Sequence, residues 1–194
     1  MNMAVVKHRI RMVGIALGLI SFGLYPVAAQ SPLQRQLAGA MESKEDGVTK
    51  SGKPKPPQWY AKKNGKLSGK GCTITFAAGD SAMGYLGPSD DWKEAFFLVS
   101  GPNVPVPAKA KSVKVTLSTD GEPDRTVTAT HIGIDGEQNG LVIFLLPSID
   151  AALDVMQNEE GVRVSMAGNQ IFASAWTKGH EARDKMRACL AGQY

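Results

Sequence analysis

Nucleophiles, bases and metal ligands are few in this sequence. Beyond its first 29 residues it holds two histidines, His131 and His180, and two cysteines, Cys72 and Cys189. His131 lies in the Thr-rich stretch Thr126 to Ile134, where a side chain packed or solvated on a sheet face is expected rather than a catalytic base. His180 and Asp184 stand at i and i+4 on a helical stretch and could supply two metal ligands. A zinc site needs at least a third, and none is specified, so His180 reads as a solvated helix start. No Gly-x-Ser-x-Gly elbow presents a serine nucleophile, and Ser148, between an apolar run and a helix, is accounted for as an N-cap. Neither a phosphate-cradling Gly-x-x-x-x-Gly-Lys-Ser/Thr nor a Gly-x-Gly-x-x-Gly occurs. No cofactor and no metal are expected.

Two acidic turns, Asp120-Gly121-Glu122 and Asp135-Gly136-Glu137, lack the dense oxygen spacing of a calcium loop and read as turns with glycine at the permissive position. The stretch Gly84-Tyr85-Leu86-Gly87-Pro88-Ser89-Asp90-Asp91-Trp92 is more unusual. It sets two aromatic residues about an acidic Pro/Gly loop, and such aromatics anchor partners. Tyr85, Asp90, Asp91 and Trp92 are therefore the expected partner-binding residues. The competing reading is that Trp92 closes one end of the core.

The first 29 residues read as an address. Lys7, Arg9 and Arg11 precede the apolar run Met12 to Leu24, and Pro26-Val27-Ala28-Ala29 follows. This is the pattern of a secretory signal peptide, with cleavage expected near Ala29. The run is shorter than the roughly 18–20 residues that cross a bilayer. A periplasmic or secreted location is expected, in a compartment that permits disulfides. A Cys72–Cys189 bridge is predicted, tying the first firm strand to the last helix. No Cys-x-x-Cys pair suggests a redox role.

The whole chain carries 22 Lys+Arg against 18 Asp+Glu, a formal charge of +4. Residues 1–29 contribute +3, residues 30–70 contribute +6, and residues 71–194 contribute −5. The basic character thus belongs to the leader and a tether, whereas a nucleic-acid binder concentrates it on its folded surface. Residues 30–57 are Lys-, Gly- and Pro-rich, ending in Lys53-Pro54-Lys55-Pro56-Pro57. They read as a flexible tether able to touch anionic surfaces. Residues 58–194 read as one domain. Trp59 is either its first core anchor or an exposed aromatic at its edge.

Within the domain, Cys72 to Phe76, a weaker run from Ala82 to Leu86 broken by Gly84, and Glu94 to Val99 read as strands. Val104-Pro105-Val106-Pro107 is excluded from a central strand. Ser112 to Ser118 alternates with period two, and Arg125 to Ile134 pairs with it about the turn at residues 120–123. The continuous apolar run Leu141 to Leu146 predicts a central strand. Ser148 then caps a helix carrying Ile149, Ala152, Leu153 and Met156 on one face. Val162 to Met166 and Gln170 to Trp176 form a hairpin turned at 167–169, and a last helix covers Gly179 to Leu190. The sum is an α+β domain of about seven mainly antiparallel strands, as a sheet or sandwich, with two helices, the last one C-terminal.

The order of signal peptide, Lys/Pro tether, Trp before a first Cys, β-strands and a final Ala-x-x-x-Met-Arg-Ala-Cys helix resembles small exported proteins of Gram-negative bacteria. Within these, it is similar to the invasion-associated-locus-B-like periplasmic proteins. Their strand followed by an Ala-rich helix is echoed by Leu141 to Leu146 and Ile149-Asp150-Ala151-Ala152-Leu153. This chain departs from them in its later hairpin and helix and in having only two cysteines. The resemblance implies a non-enzymatic envelope protein and transfers no functional residue. The expected function is non-catalytic binding of an envelope protein or surface polymer, for instance as an inhibitor of a cell-wall hydrolase. The alternative is a hydrolase using carboxylates such as Asp90 and Asp91.

Overall fold

The computed structural model describes residues 56–63, 71–90 and 92–193. The predicted signal peptide, residues 30–55 of the tether and Asp91 lie outside the described residues. Among the described residues nine strands form: β1 (Gln58–Lys63), β2 (Cys72–Ala78), β3 (Ser81–Leu86), β4 (Ala95–Ser100), β5 (Lys111–Thr119), β6 (Arg125–Ile132), β7 (Leu141–Leu146), β8 (Glu160–Met166) and β9 (Asn169–Trp176). Two helices accompany them, α1 (Ile149–Val155) and α2 (Gly179–Leu190). The expected count of seven strands is corrected to nine. β1 is a full strand rather than only the start of the domain, and β3 forms despite Gly84. At that position a Cβ would lie 2.3 Å from the Ile74 carbonyl oxygen, so glycine permits the close approach of β2 rather than breaking the strand.

All nine strands belong to one antiparallel sheet in the order β1-β2-β3-β4-β7-β6-β5-β8-β9. Among the described residues there is no second sheet to make a sandwich. The sheet curls toward a barrel instead, and its outermost strands meet through side chains. The rings of Trp59 on β1 and Trp176 on β9 are 5.8 Å apart, and Trp59 Nε1 donates to the Thr177 carbonyl at 2.9 Å. Trp59 also packs on Phe76 at 5.3 Å, which makes it a core anchor.

Strand alternation decides what lies inside. Ile74, Phe76, Met83, Phe97, Val99, Val115, Ala129, Val142, Phe144, Val162 and Val164 share the inner cluster with Trp176. On the outer face, Ala82, Leu86, Leu98, Ile132, Leu141 and Ile143 form a second cluster, with Phe96 and Trp92 against it. β3, β4 and most of β7 are therefore buried on both faces, and the last two read as continuous apolar runs for that reason. β5 shows solvent on one side and keeps its alternation. As expected, Leu141–Leu146 is central: it stands fifth of nine in the sheet order.

One end of the barrel is plugged by the connection from β4 to β5. Val104 is fully buried there, the Gly140 amide donates to its carbonyl at 2.9 Å, and His131 Nε2 lies 2.7 Å from the Pro105 carbonyl oxygen. His131 is 1% exposed, a packed core side chain. A Cβ on Gly140 would sit 2.0 Å from that Pro105 oxygen, so the plug closes only over glycine. The helices belong to the other end. Ser148 caps α1, its Oγ accepting from the Ala151 amide at 3.0 Å. α2 buries Ala182, Met186 and Cys189 and is held by the predicted Cys72–Cys189 disulfide, with Cα atoms 6.0 Å apart. Among the described residues no helix is long and apolar enough to cross a membrane.

Candidate functional site

The open end of the barrel is a cleft of about 830 Å³. Antiparallel pairing puts the ends of β3, β5, β7 and β9 and the starts of β4, β6 and β8 around it, with α1 along one side. Its aromatic wall follows from the register. Tyr85 is paired with Phe97 across β3 and β4, and Phe97 with Phe144 across β4 and β7. All three face inward as a row, with centroids 5.1 Å and 5.7 Å apart. Trp176 lines the cleft from β9, and its Nε1 donates to the Gln157 carbonyl at 3.0 Å. That bond ties the end of α1 to the sheet. It needs Gly179, whose Cβ would stand 2.1 Å from the Gln157 oxygen and 2.7 Å from the Trp176 indole.

Opposite Trp176 in the register is Glu160, two residues before Val162 and hence on the same inward face. Burial raises its carboxyl above the ordinary range. The charges of Asp120 and Glu122 push it the same way, while a hydrogen bond from the Gln157 backbone offsets part of the shift. The other carboxylates around the cleft are engaged. Asp120 Oδ2 accepts from the Gly161 amide at 2.8 Å and Oδ1 lies 3.5 Å from Arg163. Glu122 pairs with Arg125 at 2.9 Å, and Asp154 pairs with Arg187. Glu160 has no cationic partner among the described residues. The Tyr85 ring is largely buried, and burial together with the Glu160 charge holds its hydroxyl protonated far above the ordinary phenol range. That hydroxyl makes no hydrogen bond among the described residues and lines the cleft.

Of the four residues expected to bind a partner, the three described ones do not share one concavity. Tyr85 faces the cleft from the inner face of β3. Trp92 packs over the outer face, its ring 6.5 Å from Phe96 and its Nε1 donating to the Gly87 carbonyl at 3.1 Å. Trp92 is thus partly buried against the outer-face cluster. Asp90 is exposed on the intervening loop, and Asp91 lies outside the described residues. His180 is exposed at the start of α2. Among the described residues no three metal-ligating side chains converge.

Sequence reasoning did not single out Glu160, Phe97, Phe144 or Trp176. For Glu160 a signal existed: Glu160, Val162, Val164 and Met166 keep period two, so starting the strand two residues earlier places the carboxylate inward. The aromatic row depends on β4 pairing with β7, which no local pattern announces. No family model matches this chain, and no match was found among curated proteins or solved structures.

Proposed function

We propose that this chain is an exported, non-catalytic binding protein of the bacterial envelope whose ligand enters the barrel-end cleft. The observation that carries the reading is the inward row Tyr85–Phe97–Phe144 at the open end. A cleft of about 830 Å³ with an aromatic wall and a rim of charged side chains is of the size that holds a small molecule or one segment of a polymer, roughly 300–1,000 Å³. An inhibitor that blocks a hydrolase with a protruding loop would use a convex feature. The concave end favours capture of a ligand, and the disulfide accords with export. The periplasm is the proposed location, reached through a signal peptide cleaved near Ala29.

The hydrolase alternative needs two cooperating carboxylates in one place. Asp120, Glu122 and Asp154 are each held by a basic side chain, which leaves Glu160 without a free second carboxylate among the described residues lining the cleft. Binding is accordingly the better reading. The test uses the neutral fluorescent dye N-phenyl-1-naphthylamine and a cleft-filling substitution on α1, Ala152→Trp. Saturable one-to-one binding to the wild type, lost in a variant with an unchanged unfolding midpoint, supports the reading. Equal binding by both proteins, or none by the wild type, sinks it.

A further inference from the structure

The binding reading leaves open which class of ligand the cleft selects, and its charge balance addresses that. Asp120, Glu122 and Asp154 are each compensated by an arginine. Glu160 is the carboxylate of the cleft lining that no described basic side chain pairs, and its register with Trp176 turns it toward the interior. A carboxylate there loses part of its hydration and recovers it only from a cation or from donors. The Tyr85 hydroxyl lines the same cleft as Glu160, feels its charge and is unbonded among the described residues. One missing positive charge and one free hydroxyl therefore face the same space.

The walls decide what kind of cation fits. A bare metal ion needs several oxygen ligands at short range, and among the described residues no three metal-ligating side chains converge, whereas the rings of Tyr85, Phe97, Phe144 and Trp176 all line the cleft. Aromatic faces attract an organic cation through the ring quadrupole, and several rings around one carboxylate are the arrangement that recognises alkylated ammonium groups. An apolar body attached to that cation would lie along the Phe97–Phe144 row. Resting on the binding function proposed above, we infer that the cleft selects a monovalent organic ammonium ion with an apolar body, its charge beside Glu160 and within reach of the Tyr85 hydroxyl.

Three probes that share an aryl body and differ in charge test this: benzyltrimethylammonium, 2-phenylethanol and phenylacetate. Each is titrated calorimetrically at pH 7 into the protein purified after export. The cation should bind at least tenfold more tightly than the neutral probe, and phenylacetate more weakly still. Glu160→Gln should erase the preference for the cation over 2-phenylethanol. In the wild type the preference should shrink as pH falls through the carboxylate range and Glu160 takes up its proton. Equal affinity for the three probes, or a preference that survives Glu160→Gln, overturns the inference. Binding of the neutral dye without any preference for benzyltrimethylammonium removes the ammonium assignment and keeps the binding cleft. Failure of both dye and cation removes both.

Discussion

Replacing Cys72 and Cys189 together by alanine asks how far the bridge supports the fold. The two residues are 117 positions apart. In the chain-entropy model a loop of that length restricts the unfolded ensemble by about 5 kcal/mol at 25 °C. Both sulfurs sit in the inner cluster, with Cys72 1% and Cys189 6% exposed, so alanine is preferred to serine, whose hydroxyl would need a partner in an apolar site. A loss of that size is a large share of the roughly 5–15 kcal/mol that holds an ordinary domain. For a domain of this length it corresponds to a fall in Tm of about 15 °C. The assay is urea unfolding followed by both far-UV circular dichroism and tryptophan fluorescence, with coincident transitions required before free energies are compared. The midpoint should fall, and the slope with denaturant should rise because the uncrosslinked chain exposes more surface. A loss below about 1.5 kcal/mol with an unchanged slope would refute the entropic reasoning, because the bridge would then be constraining little of the unfolded chain.

Two further outcomes follow from the geometry. Because the Glu160 carboxyl is raised in the folded state, the native protein holds this proton at pH values where the unfolded chain has released it. The Glu160 contribution is therefore intact below the ordinary carboxylate range and is lost as pH rises through the raised value; Glu160→Gln should flatten that decline in a thermal melt series, and an unchanged pH profile counts against it. Gly140→Ala forces a Cβ to 2.0 Å from the Pro105 oxygen and 3.0 Å from His131 Nε2. Overpacking of this kind costs about 1–3 kcal/mol, and a urea midpoint equal to wild type would show that the plug yields freely.

Much of the fold is written locally. The N-cap of α1, the full extent of α2, the alternation of β5 and the turns at 120–123 and 167–169 depend on neighbouring residues, and each is found where its signal stands. The disulfide was legible from compartment and spacing together. What escaped depends on distant partners. β3 survives Gly84 because β2 approaches it, and β1 is a strand because Phe76 and Trp176 receive Trp59. For the site, Tyr85 was singled out within a loop motif that the sheet divides between its two faces. Alternation alone separates Tyr85 from Leu86, and Trp92 packs with the latter's cluster. Glu160 lay one strand-start away from recognition, whereas the aromatic row required the β4–β7 pairing.

That pairing also governs how the molecule can assemble. β1 to β4 form a meander that is complete in sequence order, but the free edge of β4 is met only by β7. Until Leu141–Leu146 arrives, Phe97 and Val99 have no neighbour on that side and the edge is open to foreign strands. The closing contacts are long-range, so chain closure precedes any reward from them and folding is expected to be slow. A cut within the 101–110 crossing would therefore not release two folded halves. The two pieces stay joined by the Cys72–Cys189 bridge, and β4 still requires β7 across the break. The nine strands are bound to fold as one cooperative unit, whose last closing step waits for β7 to reach the edge of β4.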